Sequence, residues 1–405
     1  MRLLILTIKQ NTFYFVILLT LFYFLLHLFF IKEVAEVVYD EFYYTRFAKS
    51  FLEGDWIFDV HPPLGKLIIS SGLFLFGNNP IGWRITTQVF SSLLLPIIYL
   101  FTRKLTANNF AATFAALLYF FETIFFVEGH YAFFEIYVPF FLLLGGIFIL
   151  NFQESGEKLD FFLGAVLFGL ALSIKWSALF AISVFTIYLF LIFKKNFASW
   201  LKSFEGAATF VIIVLGAYLI TFIPPILQGL DIFGWHLDAL KFHQDKSIIH
   251  PYHSPWWTWY FDIRTVQFFS DTTSDGKFIN VYALINPITS FVSLYALFFA
   301  FLKIIKKEFA KTTLVFFLSM VSLFGWVLLP RGTFIYNVLP SLAFSIILSG
   351  VTLASIYQQS NLGRFIALGT VFLASLFFIF FFPFLVGLPV SKAFSDAHFW
   401  LQTWR

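Results

Sequence analysis

Apolar runs alternate with short polar breaks along nearly the whole chain. A run must reach about 20 residues to cross roughly 30 Å of hydrocarbon as a helix. Runs near that length lie at 12–31, 84–102, 109–127, 131–150, 160–174, 177–193, 206–223, 281–302, 312–329, 334–356 and 365–386. The pattern predicts about eleven spans. The fifth and sixth are short and are separated only by Lys175-Trp176. They predict a helical hairpin with its tip at the membrane surface. The first span follows Arg2 and Lys9, and Lys32, Glu33 and Glu36 come after it without a small-residue cleavage site. It reads as an uncleaved span rather than a signal peptide.

Two segments are too polar to span and too long to be turns, 32–83 and 224–280. Within the first, residues 40–52 place Phe42, Phe47, Ala48, Phe51 and Leu52 near helical spacing, which predicts an amphipathic helix on the membrane surface. There is no fixed-period repeat and no second soluble domain, so 1–405 reads as a single all-α polytopic membrane domain.

Composition supports that class: 60% of residues are hydrophobic and 12% charged. A soluble domain carries about twice that charge. A soluble enzyme, a disordered chain and a nucleic-acid-binding protein are thereby excluded. Cysteine is absent, which removes disulfides, thiolate metal sites and cysteine nucleophiles. The basic residues fix an orientation. Arg2, Lys9, Arg103, Lys104, Lys158, Lys194, Lys195, Lys202, Lys303, Lys306, Lys307, Lys311 and Arg364 share one side with five acids, a net of about +8. The other side nets about −4. The N-terminus is therefore expected in the cytoplasm, the C-terminus outside, and both long loops outside. Loops on a rigid scaffold are where binding and catalysis are usually placed.

The candidate chemistry sits on that outer side. Asp40 and Glu41 are adjacent carboxylates just past the first span, where a carboxylate can serve as general base to a hydroxyl. Ordinary solvated loop acids are the plain alternative. His61-Pro62-Pro63-Leu64-Gly65-Lys66 follows, an extended segment set by two prolines. Arg84, Lys175 and Arg331 are interfacial cations, either snorkelling anchors or partners for a lipid phosphate. Glu128, His130 and Glu135 surround a short outer turn between the third and fourth spans. Glu135 lies in an apolar run, where an acid is costly and marks a site or a salt bridge to Arg84 or Lys175. In the second loop, Trp256, Trp257 and Trp259 suit sugar stacking or interface anchoring. His243, His250 and His253 raise a metal, but no acid repeats at ligand spacing. No metal site is assigned, and a divalent cation is not indicated.

Taken in order, these segments resemble the protein O-mannosyltransferase family, membrane-embedded GT-C glycosyltransferases. The resemblance is carried by Asp40-Glu41, the run Asp59 to Lys66, Arg84, Gly169 to Trp176, Ser254 to Trp259 and Arg331 to Pro340. It spans nearly the whole chain and agrees with the eleven-span topology. Eukaryotic members carry a MIR domain in the second large loop; that loop here has about 57 residues, too few for one. The resemblance therefore points to the prokaryotic form, acting at the outer face of the plasma membrane. The family's acid in the fourth span, commonly Asp after a basic residue, is Glu135 after His130.

The resemblance implies inverting transfer of mannose from a polyprenyl-phosphate donor to Ser or Thr hydroxyls of secreted or membrane proteins. It makes Asp40 the base, with Glu41 orienting base or acceptor. His61, Lys66, Arg84, Glu135, Lys175 and Arg331 are then expected around the donor's phosphate and sugar, and membrane lipids around the helices. A lipid-linked sugar transferase that modifies a glycolipid such as lipid A would use the same scaffold. A transporter or flippase is disfavoured because the charges sit at span ends rather than mid-bilayer. A non-enzymatic scaffold subunit is the remaining class.

Overall fold

Helices occupy each of the predicted apolar segments in the computed structural model, which describes residues 2–197, 200–247, 250–308 and 310–404. The side chains of Arg2, Lys9, Lys194 and Lys195, counted in the charge balance, lie outside those described. The chain opens with α1 (Arg2–Phe29), α2 (Glu41–Leu52), α3 (Leu64–Phe76) and α4 (Pro80–Thr106). A broken pair follows, α5 (Asn109–Phe120) and α6 (Thr123–His130), then α7 (Tyr137–Ser155), α8 (Lys158–Leu172), α9 (Ala178–Phe197) and α10 (Trp200–Ile220). The second loop holds α11 (Ile223–Leu227), α12 (Ile232–Gln244), a 3-10 turn at Trp256–Phe261 and the hairpin β1 (Val266–Thr272) and β2 (Phe278–Ala283). The last helices are α13 (Pro287–Ile305), α14 (Lys311–Phe324), α15 (Leu339–Gln359), α16 (Asn361–Val386) and the short α17 (Lys392–Asp396). Among the described residues, seven helical segments are long and apolar enough to cross a membrane, eight with the bent α5–α6 pair.

The bundle is organised around α15, which packs on α5, α13, α14 and α16. Its sequence explains that position. Gly350 brings it so close to α5 that a Cβ there would lie 2.5 Å from the Ala111 carbonyl. Small residues at such crossings let helices pack without help from a hydrophobic drive. Ser345 and Ser349 satisfy their hydroxyls on backbone carbonyls, and Ser349 Oγ also lies 3.2 Å from Ser293 Oγ of α13.

Four departures from the predicted pattern matter for the site. The third span is not continuous over 109–127: it bends by 60° between α5 and α6. The buried Glu122 causes the break. Its carboxylate accepts the Asn286 N–H at 2.8 Å, while Asn286 Nδ2 donates to the Phe121 carbonyl at 2.9 Å. The fourth helix begins at Tyr137 rather than 131, because Pro139 is tolerated only in a first turn. Residues 131–136 are irregular as a result. Residues 64–76, expected as loop, form α3, which buries Ile69 and Leu73 and exposes Phe74. Residues 281–283 belong to β2, so the eighth span starts at Pro287. In α2 the buried face is Glu41, Tyr44, Thr45 and Ala48, and Phe42 and Leu52 are exposed.

The two long loops are stitched together. Trp235 Nε1 of α12 donates to the Asp59 carbonyl at 2.7 Å, and Gln228 Nε2 to the Phe51 carbonyl at 2.8 Å. The α8–α9 hairpin tip joins them, since Leu64 N–H donates to the Ser173 carbonyl at 3.1 Å. Residues far apart in sequence thereby meet at one place.

Candidate active site

That place is a cavity of about 1030 Å³ under the stitched loops. Four of the predicted residues line it: Asp40, His61, Lys175 and Arg331. Each comes from a different segment: the start of α2, the Pro-Pro turn, the hairpin tip and the approach to α15. Asp59, Tyr39, Tyr336 and His243 share the wall.

Asp40 occupies the N-cap position of α2 without making a capping bond. Among the described residues its one side-chain hydrogen bond is a long one, from the Tyr44 hydroxyl to Oδ2 at 3.5 Å. The carboxylate is left facing the cavity. Burial pushes its pKa up to about 7, with Glu135 adding to the rise and Lys175 opposing it. A carboxyl poised near neutrality is suited to take a proton from a hydroxyl. Tyr39, just before it, has a φ of +43°, a conformation rarely taken by a bulky residue. Its ring is held 5.1 Å from Phe268 and 6.0 Å from His250.

Glu41 points the other way. Its carboxylate accepts from Arg84 Nε and Nη2, both at 2.9 Å, from Ala132 N–H at 2.7 Å and from Val38 N–H at 3.0 Å. Arg84 spends its other donors on the carbonyls of Ile31, Val34 and Glu36. Both side chains are fully buried. Arg84 is therefore not a phosphate ligand, as expected from sequence, but the clamp that ties the exit of α1 to α2. Glu41 does not line the cavity.

Lys66 is corrected for the same reason. Its ammonium donates to Asp59 Oδ2 at 2.6 Å and to the carbonyls of His61 at 2.6 Å and Pro62 at 3.1 Å. With three donors used and no exposure, it fixes the turn that presents His61 and cannot reach a ligand. Glu135 lies outside the cavity wall and pairs with Lys175. The Lys175 ammonium also sits 5.7 Å from the Tyr336 ring centroid.

Arg331 donates from Nη1 to His243 Nδ1 at 3.3 Å and stacks over Phe242 at 4.8 Å. Burial, then Arg331, hold the His243 pKa down at about 4. A neutral His243 that accepts at Nδ1 donates from Nε2, here to the Val60 carbonyl at 3.3 Å. Burial and the nearby Lys175 likewise keep His61 well below its ordinary value. The second-loop histidines do not converge: His243 faces Arg331, while His250 and His253 meet the Phe334 ring edge-on, with centroids 5.2 Å away. Among the described residues no group of three or more metal-ligating side chains forms.

The three tryptophans lie elsewhere. Trp257 is 60% exposed, and Trp259 is buried against Trp326, with Nε1 donating to Ser254. Trp256 packs on Phe324. None of the three lines the cavity. Its aromatic lining includes Tyr39, Trp176, Phe180, Phe242, Trp326 and Tyr336. Nothing singles these out in a chain that is 22% aromatic.

Residues 16–230 match the family described as dolichyl-phosphate-mannose-protein mannosyltransferase. Residues 230–404 match the C-terminal four-span region of protein-O-mannosyltransferase. A polyprenol-phosphate-mannose–protein mannosyltransferase of Mycolicibacterium smegmatis is 23% identical over 92% of this chain and 88% of its own length. Another from Corynebacterium glutamicum is 25% identical over 53% of each chain. Among solved structures, the S. cerevisiae protein O-mannosyltransferase complex bound to its sugar donor superposes with a TM-score of 0.83. It is 13% identical, covering 96% of this chain and 92% of that one. ArnT from Cupriavidus metallidurans bound to undecaprenyl phosphate has a TM-score of 0.65 at 12% identity, covering 92% of this chain and 76% of that one. These likenesses establish a shared GT-C-like fold.

Proposed function

This chain belongs to the dolichyl-phosphate-mannose-protein mannosyltransferase family, and from that premise we propose how its cavity transfers mannose from a polyprenyl-phosphate donor to a protein hydroxyl. It is a multi-pass membrane glycosyltransferase of protein O-mannosylation. The single observation that carries the site assignment is the meeting of Asp40 with two cations, Lys175 and Arg331, in one cavity.

The acceptor oxygen of Ser or Thr attacks the anomeric carbon of mannose from the face opposite the phosphate, so the configuration inverts. As the new C–O bond forms, Asp40 takes the hydroxyl proton. The bond from the anomeric carbon to the phosphate oxygen breaks, and its electron pair leaves on polyprenyl phosphate. Lys175 and Arg331 stabilise that developing charge from within a low-dielectric wall. Neutral His61 adds a hydrogen bond without repelling these cations, and neutral His243 holds Arg331 in place. The apolar stretch of the wall, with Leu179, Phe180, Leu328 and Leu329, takes the first isoprene units. Eleven spans, a cytoplasmic N-terminus and an outward-facing cavity in the plasma membrane complete this reading. The +8 and −4 charge balance supports it.

The test is transfer of labelled mannose from polyprenyl-phosphate mannose to a Ser/Thr peptide by the purified protein in detergent, with a glycolipid acceptor in parallel. Mannosyl peptide is the expected product; mannosyl glycolipid alone refutes the reading. Lys175→Ala is expected to lower kcat/KM about 100-fold or more, and an unchanged value makes Lys175 a mere anchor. The pH profile follows from Asp40. Only its ionised form accepts a proton, so kcat/KM rises with pH and levels off above about 7. Because Lys175 opposes the rise in the Asp40 pKa, the residual activity of Lys175→Ala should level off at a higher pH than wild type.

A further inference from the structure

The hairpin of the second loop has one occupied edge and one free edge. On the β2 side, Phe278 N–H donates to the Val390 carbonyl at 2.8 Å and Val390 N–H returns to Phe278 at 2.9 Å. β2 also packs on α6 and α16. In an antiparallel pair each residue turns its N–H and C=O to the same side, and successive residues alternate. Phe278 turns its pair away from β1, so its opposite number Thr272 turns its own away from β2. Asp271 Oδ1 accordingly accepts the Thr272 N–H at 2.7 Å. Two residues back, Ser270 lies opposite Asn280 with the same orientation. It is exposed. Among the described residues its N–H and C=O make no backbone hydrogen bond outside the hairpin.

β1 touches the cavity wall through Phe268. The register slips between Gln267 and Phe269, leaving Phe268 as the extra residue. Bulges of this kind re-aim a side chain next to functional sites. Here the Phe268 ring is turned onto Tyr39 at 5.1 Å and Phe133 at 4.6 Å. Tyr39 immediately precedes Asp40. Two strand residues cover about 7 Å, so Ser270 stands one short step of extended chain from the residue that packs on Tyr39, a member of the cavity wall. An acceptor surface for proteins of varied sequence can rely on one constant feature, the main chain. Strand addition is the mode that reads it, and an unprotected edge is otherwise a liability.

We propose that the acceptor polypeptide docks in extended form on the free edge of β1, pairing its main chain with Ser270 so that a neighbouring Ser or Thr reaches Asp40. The proposal rests on the reading that the acceptor is a protein. Ser270→Pro removes the free-edge N–H and leaves the ladder to β2 intact, since proline is accepted on strand edges. The expected result is a rise of about five- to tenfold in peptide KM, from loss of about one hydrogen bond. Donor KM and kcat should stay within about twofold, while Ser270→Ala, which keeps the backbone donor, should match wild type. Peptides N-methylated at one amide at a time test the same contact on the wild-type protein. KM should rise only at alternate positions around the acceptor hydroxyl. An unchanged peptide KM in folded Ser270→Pro, or a flat N-methyl scan, overturns the proposal. If Ser270→Pro does not fold, the scan alone decides. Wild-type protein that mannosylates no peptide overturns the functional reading instead, and this one with it.

Discussion

Asp40→Asn folds, reconstitutes in detergent and transfers mannose at least about 10³-fold more slowly than wild type. The expectation rests on removing the general base at a weak hydroxyl nucleophile, which typically costs 10²- to 10⁴-fold. The amide keeps the size and the long contact to Tyr44 but cannot accept the proton. Binding of polyprenyl phosphate should be retained or improved, because one negative charge beside the leaving-group site is gone. The folded state should gain as well. The Asp40 pKa is raised in the folded protein from an ordinary 3.8 to about 7. Ionising it therefore takes away stability as pH climbs through that window. The amide escapes this cost, so the variant should melt no lower than wild type at pH 8. Full turnover by Asp40→Asn would remove Asp40 as the base. Inactivity together with a lowered melting temperature would make it structural.

Arg84→Ala has the opposite signature. It deletes the partner of a fully buried carboxylate and strips three backbone carbonyls of their donor. Breaking a buried pair from one side costs roughly 3–5 kcal/mol. For a protein of this size that corresponds to a fall of about 5 °C in the apparent melting temperature. Glu41 would be left charged under α2, and Asp40 would lose its fixed position, so activity should fall with stability. Arg84→Ala/Glu41→Ala should recover part of the stability, because no lone charge remains buried. A phosphate ligand would behave differently: Arg84→Ala would melt normally and show only a raised donor KM. That outcome would reverse the assignment made from the geometry.

The contrast shows which parts of the site are legible in a membrane sequence. Ionisable residues are scarce in such a chain, and each one present has a reason. That logic finds Asp40, His61, Lys175 and Arg331, which line the cavity. It also picks out Arg84 and Lys66, because a buried clamp and a ligand cation look alike before their partners are known. Only the carbonyls around Arg84 and the Asp59–His61–Pro62 cradle around Lys66 separate the two. The apolar segments carry the helices well, yet the bend at Glu122 depends on Asn286, 164 residues away. No local pattern contains that pairing. β1 and β2 are short and mixed in polarity, and β2 runs straight into an apolar stretch that reads as span. The aromatic wall is hidden by the abundance of aromatics elsewhere.

Lys175 is never idle in this arrangement. Its ammonium already has an anionic partner, Glu135, so on the proposed reading a lipid phosphate would arrive as a competitor for an occupied seat. What reaches the measured affinity is the difference between two ion pairs rather than the strength of one. The same competition would run in reverse at the end of the cycle, with Glu135 reclaiming the lysine from the spent carrier. An enzyme built this way would give up some grip on its donor and in return resist inhibition by its own lipid product.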